Sequence, residues 1–128
     1  MIEEKSCGCI IIEKEKVLLI ESNRGNWGFP KGHVEKNETE IETATREVKE
    51  ETNLDVKIYE EKRLAVEYIT DKGKHKQSVY FLADMVGGIL KPQESEVKNI
   101  GWFDFEDALK RLTYDNDRDL LRKAGELR

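Results

Sequence analysis

With 128 residues the chain has the length of one domain, enough to bury a core and too short for two. Its 22 Lys and Arg and 27 Asp and Glu give a formal charge of -5, with both signs interspersed and no basic block to track a nucleic-acid backbone, which argues against a long polynucleotide as the primary ligand. No apolar run reaches the length of a membrane span and the start MIEEKSCGC lacks the regions of a secretion signal, so a soluble cytoplasmic protein with no membrane partner is expected.

Residues 6–13 and 16–21 read as a hairpin around KEK, with β-branched and leucine side chains on the buried face. Cys7 and Cys9 share a face of the first strand and read as small buried residues in a reduced cell. GNWGFPKG, with three glycines and one proline, predicts a turn-rich connection. From Thr39 to Thr52 there is no Gly or Pro, and Ile41, Ala44, Val48 and Thr52 recur at helical spacing as one narrow packing stripe. Residues 56–70 and 76–85 predict two strands separated by DKGKH, the second broken by Gly87 and Gly88. VKNIGWF predicts a short strand, and DFEDALKRL a helix with Asp104 at its N-cap. DNDRDLLRKAGEL predicts a last helix that packs through Leu120, Leu121 and Ala124. There are no repeats, and this order predicts a mixed sheet covered on both faces.

The predicted first helix carries REVKEE, in which Glu47, Glu50 and Glu51 crowd onto one side, on the flank of the packing stripe. Either solvent screens these like charges or something positive sits among them. Alone, the segment reads as a solvated helix face. Together with Gly32, Glu38 and Arg46 it fits a longer pattern: Gly, five residues, Glu, seven residues, Arg-Glu, an apolar residue, any residue, Glu-Glu. At this composition that pattern arises by chance roughly once in a million starting positions.

GHVEKNETEIETATREVKEETNL, residues 32–54, resembles the signature box of the Nudix hydrolases. The resemblance implies a Nudix-type α/β/α sandwich with a mixed β-sheet over residues 1–128. It also implies that the box forms a loop, a helix and a loop that holds a divalent metal for hydrolysis of nucleotide polyphosphates. Where the family pattern ends in Gly, this chain has Asn53, the next most frequent residue at a left-handed helix cap. Clustered carboxylates are hard oxygen ligands that suit Mg²⁺ or Mn²⁺, and the metal offsets their repulsion. By resemblance Glu47, Glu50 and Glu51 bind metal, with Glu47 or Glu51 also able to orient or deprotonate water and Gly32 contributing a carbonyl. Arg46 holds a glutamate in place, and Glu38 braces the loop or reaches metal through water.

Outside the box, WGFPKGHVE, KHKQSVYFLA and IGWFDFEDALKRL resemble the branch of the family that cleaves diadenosine tetraphosphate asymmetrically. Lys76 falls where that branch places a phosphate-binding lysine, and Tyr68, Tyr80 and Tyr114 are the aromatics available to stack adenine, ordinary packing being the alternative for each. Lys31 and His33 either touch phosphate or belong to a solvated loop. Two departures stand out: Lys36-Asn37 replaces a common Pro-Gly, and Ser95-Glu96-Val97 replaces a common His-Glu-His. Only Glu96 survives there, as an auxiliary metal ligand or base or as a surface residue. The implied activity is conversion of diadenosine tetraphosphate to ATP and AMP. The alternatives are a nucleoside triphosphate or capped-RNA pyrophosphohydrolase, and a catalytically silent nucleotide-binding sensor. The sequence leaves the oligomeric state open.

Overall fold

The computed structural model describes residues 1–128. β1 (Glu4–Glu13) and β2 (Lys16–Ser22) form the expected hairpin. Its turn is a two-residue one, with Lys14 and Glu15 at φ 49° and 67°, both in the left-handed region that matches the twist of paired strands. The turn-rich segment that follows contains two short strands which its glycines concealed, β3 (Trp27–Gly28) and β4 (Lys31–His33). After α1 (Glu40–Thr52) come β5 (Leu54–Ile69), β6 (His75–Gly88), β7 (Val97–Asp104), α2 (Phe105–Arg111) and α3 (Asp115–Leu127).

The sheet runs β3-β2-β1-β6-β5, with β4 also paired to β1 and β7 to β2. Only β1 and β6 are parallel, which makes the sheet mixed. Alternation along each strand then supplies two cores. Ile10, Val17, Leu19, Tyr80 and Leu82 face α2 and α3, where Ala108, Leu112, Leu120, Leu121 and Ala124 close over them. Cys7, Cys9, Ile11, Leu18, Val79, Phe81 and Ala83 face the other way, against Ala44 and Val48 of α1. The result is an α/β/α sandwich. Both cysteines are free and buried, and burial pushes their thiols up to about 11 and about 12, so they stay as packed thiols.

Three expectations need correction. β6 does not break at Gly87 and Gly88: it runs on to pair them with Asp55 and Leu54. Gly88 stands at φ 88°, and a Cβ there would lie 2.4 Å from the Asn53 carbonyl oxygen, so the strand needs a glycine at that crossing. Asp104 occupies the N-cap position of α2, but its side chain makes no capping hydrogen bond. On α1, a second row, Thr43, Glu47 and Glu51, is buried beside Ala44, Val48 and Thr52, while Ile41 is only half-buried. Two of the glutamates placed on a flank are therefore inside the molecule.

β5 bulges where it passes Leu82. Ile58 pairs with Ala83 and the next pair is Arg63 with Phe81, so four residues, Tyr59 to Lys62, loop out against one. No helix is long and apolar enough to cross a membrane.

Candidate active site

α1 presents the glutamates because both of its ends are fixed. Thr39 and Glu42 form a capping box at the start, each side chain accepting from the other's backbone N–H, at 3.1 and 2.9 Å. At the end Asn53 adopts φ 66°, its N–H donates to the Lys49 carbonyl, and its Nδ2 donates to the Ile89 carbonyl at 2.8 Å. Beyond that cap the loop before β7 folds back, with the N–H groups of Lys91 and Gln93 donating to the carbonyls of Thr52 and Glu51. This return brings Glu96 to the carboxylates.

Arg46 is the positive group among them. Its Nε and Nη2 grip Glu38 at 2.7 and 3.0 Å, Nη1 donates to Glu47 at 2.7 Å and to Glu50 at 3.2 Å, and Nη2 also reaches the His33 carbonyl at 3.1 Å. Glu38 further accepts from Thr43 Oγ1 and the Glu35 N–H, both at 2.9 Å. The Arg46 guanidinium first, with these donors, holds its carboxyl down at about 2. Glu38 is thus the brace between the loop and the helix.

Glu47 and Glu51 are in the opposite situation. Glu51 is 6% exposed and accepts from the Lys31 backbone N–H at 2.8 Å, yet burial, with the charges of Glu47 and Glu96 added, pushes its carboxyl up to about 8. Glu47, 9% exposed, is also raised, by burial and by Glu50 and Glu96, against the pull of Arg46. Gly32 packs directly on Glu47: a Cβ there would lie 2.0 Å from the Glu47 Cδ, so no other residue fits without moving the carboxylate.

No three acidic, His or Cys side chains stand close enough to enclose an ion in this arrangement, in which Arg46 draws Glu47 and Glu50 to itself. The donor set fits a hard divalent cation all the same. The carboxylates of Glu47, Glu50 and Glu51 leave α1 on one side, Gly32 abuts Glu47, and the burial and repulsion that penalise the charges of Glu47 and Glu51 are what a divalent cation relieves.

Two cavities meet here. One, of about 520 Å³, has no apolar lining residue and is walled by Glu35, Arg46, Glu47, Glu50 and Glu96, with Gly32 and His33 at its edge. The other, of about 680 Å³, is lined by Trp27, Phe29, Val66, Tyr68, Tyr114 and Asp117, among others. Lys31 and Lys76 line both, so they stand at the junction. Burial, with Lys31 nearby, pushes the Lys76 pKa down.

Of the tyrosines, Tyr68 and Tyr114 line the larger cavity. Tyr68 lies within hydrogen-bond distance of Ser78 Oγ at 3.3 Å, and Tyr114, 54% exposed, accepts from Asn26 Nδ2 at 3.1 Å. Tyr80 is a correction: it is 1% exposed, packed edge-on to Phe29 at 5.2 Å, and has no face open to a ligand. The sequence reading missed Trp27. Its backbone exchanges hydrogen bonds with Thr113 at 2.8 and 3.2 Å, and the Arg111 guanidinium lies 4.8 Å from its ring centroid. It also missed Asp117, which read only as part of a helix start.

A model of the NUDIX domain matches residues 4–124. An asymmetrical bis(5′-nucleosyl)-tetraphosphatase of Caenorhabditis elegans is 34% identical over 128 residues, covering 93% of this chain and 92% of that protein. A Mycobacterium tuberculosis protein provisionally named mutator protein MutT4 is 35% identical over 103 residues; the match takes in 79% of this chain but only 42% of that longer protein. Among solved structures, a C. elegans Ap4A hydrolase binary complex superposes with a TM-score of 0.88 at 32% identity, covering 97% of this chain and 96% of that one.

Proposed function

The chain belongs to the Nudix hydrolases, enzymes that cleave nucleotide polyphosphates, and within that family we propose that it hydrolyses diadenosine tetraphosphate to ATP and AMP with Mg²⁺ or Mn²⁺. The observation that carries this reading is the junction of the two cavities. A nucleoside fits the aromatic one, the phosphate chain passes Lys31 and Lys76, and a phosphorus inside the chain reaches the carboxylates. A cavity of about 680 Å³ lies within the usual span of small-molecule sites, roughly 300–1,000 Å³.

Glu47, Glu50 and Glu51, with the Gly32 carbonyl, would hold the metal. When bound, such an ion supplies positive charge against the phosphate oxygens. Lys31 and Lys76 neutralise charge farther along the chain. Glu51 or Glu47 orients the attacking water and accepts its proton: Glu47 lines the polar cavity and Glu51 the larger one, beside Lys31, and their raised affinity for a proton suits a base. Arg46 and Glu38 keep the helix and the loop from shifting under this charge. Glu96 stands across the cavity as the auxiliary carboxylate, and His33 lines the same wall.

The test is a substrate panel with product identification. Diadenosine tetraphosphate should give ATP and AMP, and only with added metal. The substrate assignment fails if two ADP appear, or if kcat/KM for a simple nucleoside triphosphate equals that for diadenosine tetraphosphate. A nucleoside triphosphate pyrophosphohydrolase is the second reading, favoured by the presence of one aromatic cavity beside the carboxylates.

A further inference from the structure

Glu96 differs from the other carboxylates at the polar cavity in how it is held. Arg46 pairs with Glu35, Glu38, Glu47 and Glu50, at 3.6, 2.7, 2.7 and 3.2 Å, and does not reach Glu96. Yet Glu96 lines the same cavity, and its charge is among those that raise Glu47 and Glu51. Its side chain is aimed by its backbone alone, in the loop before β7.

That loop is secured at both ends. The N–H groups of Lys91 and Gln93 donate to carbonyls of α1, and Val97 is buried and pairs with Ser22 at the start of β7. Between these anchors the N–H groups of Glu96 and Val97 turn back on the Gln93 carbonyl, at 3.2 and 2.8 Å. The ladder between β2 and β7 slips here, since Asn99 faces Glu21 but Val97 faces Ser22, stepping over Lys98. Beyond the slip no backbone pairing continues, and a side chain takes its place: Asn23 Nδ2 donates to the Ser95 carbonyl at 2.7 Å. Only the amide nitrogen can face a carbonyl, so the orientation of the Asn23 side chain is fixed. The turn that carries it is closed by its own hydrogen bonds, from the Ser22 N–H to the Asn26 carbonyl at 2.9 Å and from the Gly25 N–H to the Ser22 carbonyl at 2.8 Å, with Gly25 at φ 86°.

We propose that Asn23 is a positioning residue: by holding the Ser95 carbonyl it fixes the backbone next to Glu96 and keeps that carboxylate turned toward the cation site of the polar cavity. The assignment rests on the proposed function in taking Glu96 as the auxiliary carboxylate of that site, but not on which nucleotide is cleaved. The glutamates of α1 need no such device, because the helix and Arg46 already orient them. Glu96 stands on irregular backbone, where a bond from a neighbouring segment decides whether it points inward or to solvent, and groups that orient a carboxylate bear on the cation it serves.

A double-mutant cycle tests this, read by calorimetric titration with Mn²⁺ in the absence of nucleotide. Glu96→Gln should weaken Mn²⁺ binding by about tenfold or more. Asn23→Ala should weaken it by about threefold to tenfold, the range of one neutral hydrogen bond. The double variant should bind Mn²⁺ as Glu96→Gln alone does, because Asn23 then has no carboxylate to aim. An equal loss from Asn23→Ala with and without Glu96 marks a merely structural role and overturns the proposal. It is overturned as well if either single variant binds Mn²⁺ as the wild type does. With no nucleotide in the cell, the result is independent of whether diadenosine tetraphosphate proves to be the substrate.

Discussion

The backbone N–H of Lys31 donates to the carboxylate of Glu51, 2.8 Å away, and thereby fastens the residue at the cavity junction to the most buried of the glutamates. Glu51→Gln keeps that acceptor and removes the charge. Its melting temperature should match or exceed that of the metal-free wild type, while kcat falls by about 10² or more, as expected for a metal ligand or base. Near-normal turnover would remove Glu51 from the chemistry.

A second expectation concerns pH. In the metal-free protein the Glu51 carboxyl is pushed up to about 8 from an ordinary 4.5, and Glu47 is raised in the same direction. The folded state therefore holds protons that the unfolded chain gives up. The associated stability is complete below about pH 4.5 and is lost as pH rises through about 8. Thermal melts without metal should show this decline, and Mg²⁺ should raise the melting temperature most at the alkaline end of the window. A metal-induced shift that does not change between pH 6 and pH 9 would contradict it.

Lys76 and Tyr114 separate binding from turnover. Lys76→Met should raise KM more than it lowers kcat, since a phosphate contact away from the carboxylates contributes mainly uniform binding. Tyr114→Ala should weaken nucleotide binding by about 1–3 kcal/mol, the scale of one stacked base, with little effect on stability because the ring is largely exposed. Tyr80→Ala should do the reverse, destabilising by about 3–5 kcal/mol, the cost of emptying a large aromatic site in a core. Steady-state kinetics and denaturant melts on the three variants decide the matter.

Asn53 holds a left-handed conformation at the end of α1 and a side-chain hydrogen bond to Ile89. Asn53→Gly relieves the first and loses the second, so its stability should change little. Asn53→Val keeps neither advantage and should cost about 1 kcal/mol or more. Equal unfolding midpoints for the two variants would contradict the cap.

What could be read from the amino-acid order was what is local. The left-handed Asn53 and the spacing of Glu47, Glu50 and Glu51 are set within a few turns of one helix, and α3 runs from Asp115 to Leu127 as its pattern predicts. Long-range placement was not legible in the same way. VYFLA is apolar on both faces, so nothing in it tells that Tyr80 points at Phe29 and α3 rather than at a ligand. The burial of Glu47 and Glu51 comes with the packing of β4 on α1, where Gly32 lies against the Glu47 carboxylate and the Lys31 N–H reaches Glu51, contacts that span 15 and 20 residues of the chain. Asp117 stands apart from its neighbours only once Asp115 and Asp119 are seen with their arginines.

The bulge in β5 affects how copies of this protein meet one another. β5 ends the sheet, and its outer edge offers unpaired backbone groups along a strand of 16 residues, the kind of template on which a second chain can polymerise. Looping out Tyr59 to Lys62 interrupts that template near its middle, and the charges of Glu60, Glu61, Lys62 and Arg63 cluster at the interruption. No incoming strand can keep register across both halves. The irregularity thus guards a long free edge against aggregation while its inner side remains paired with β6.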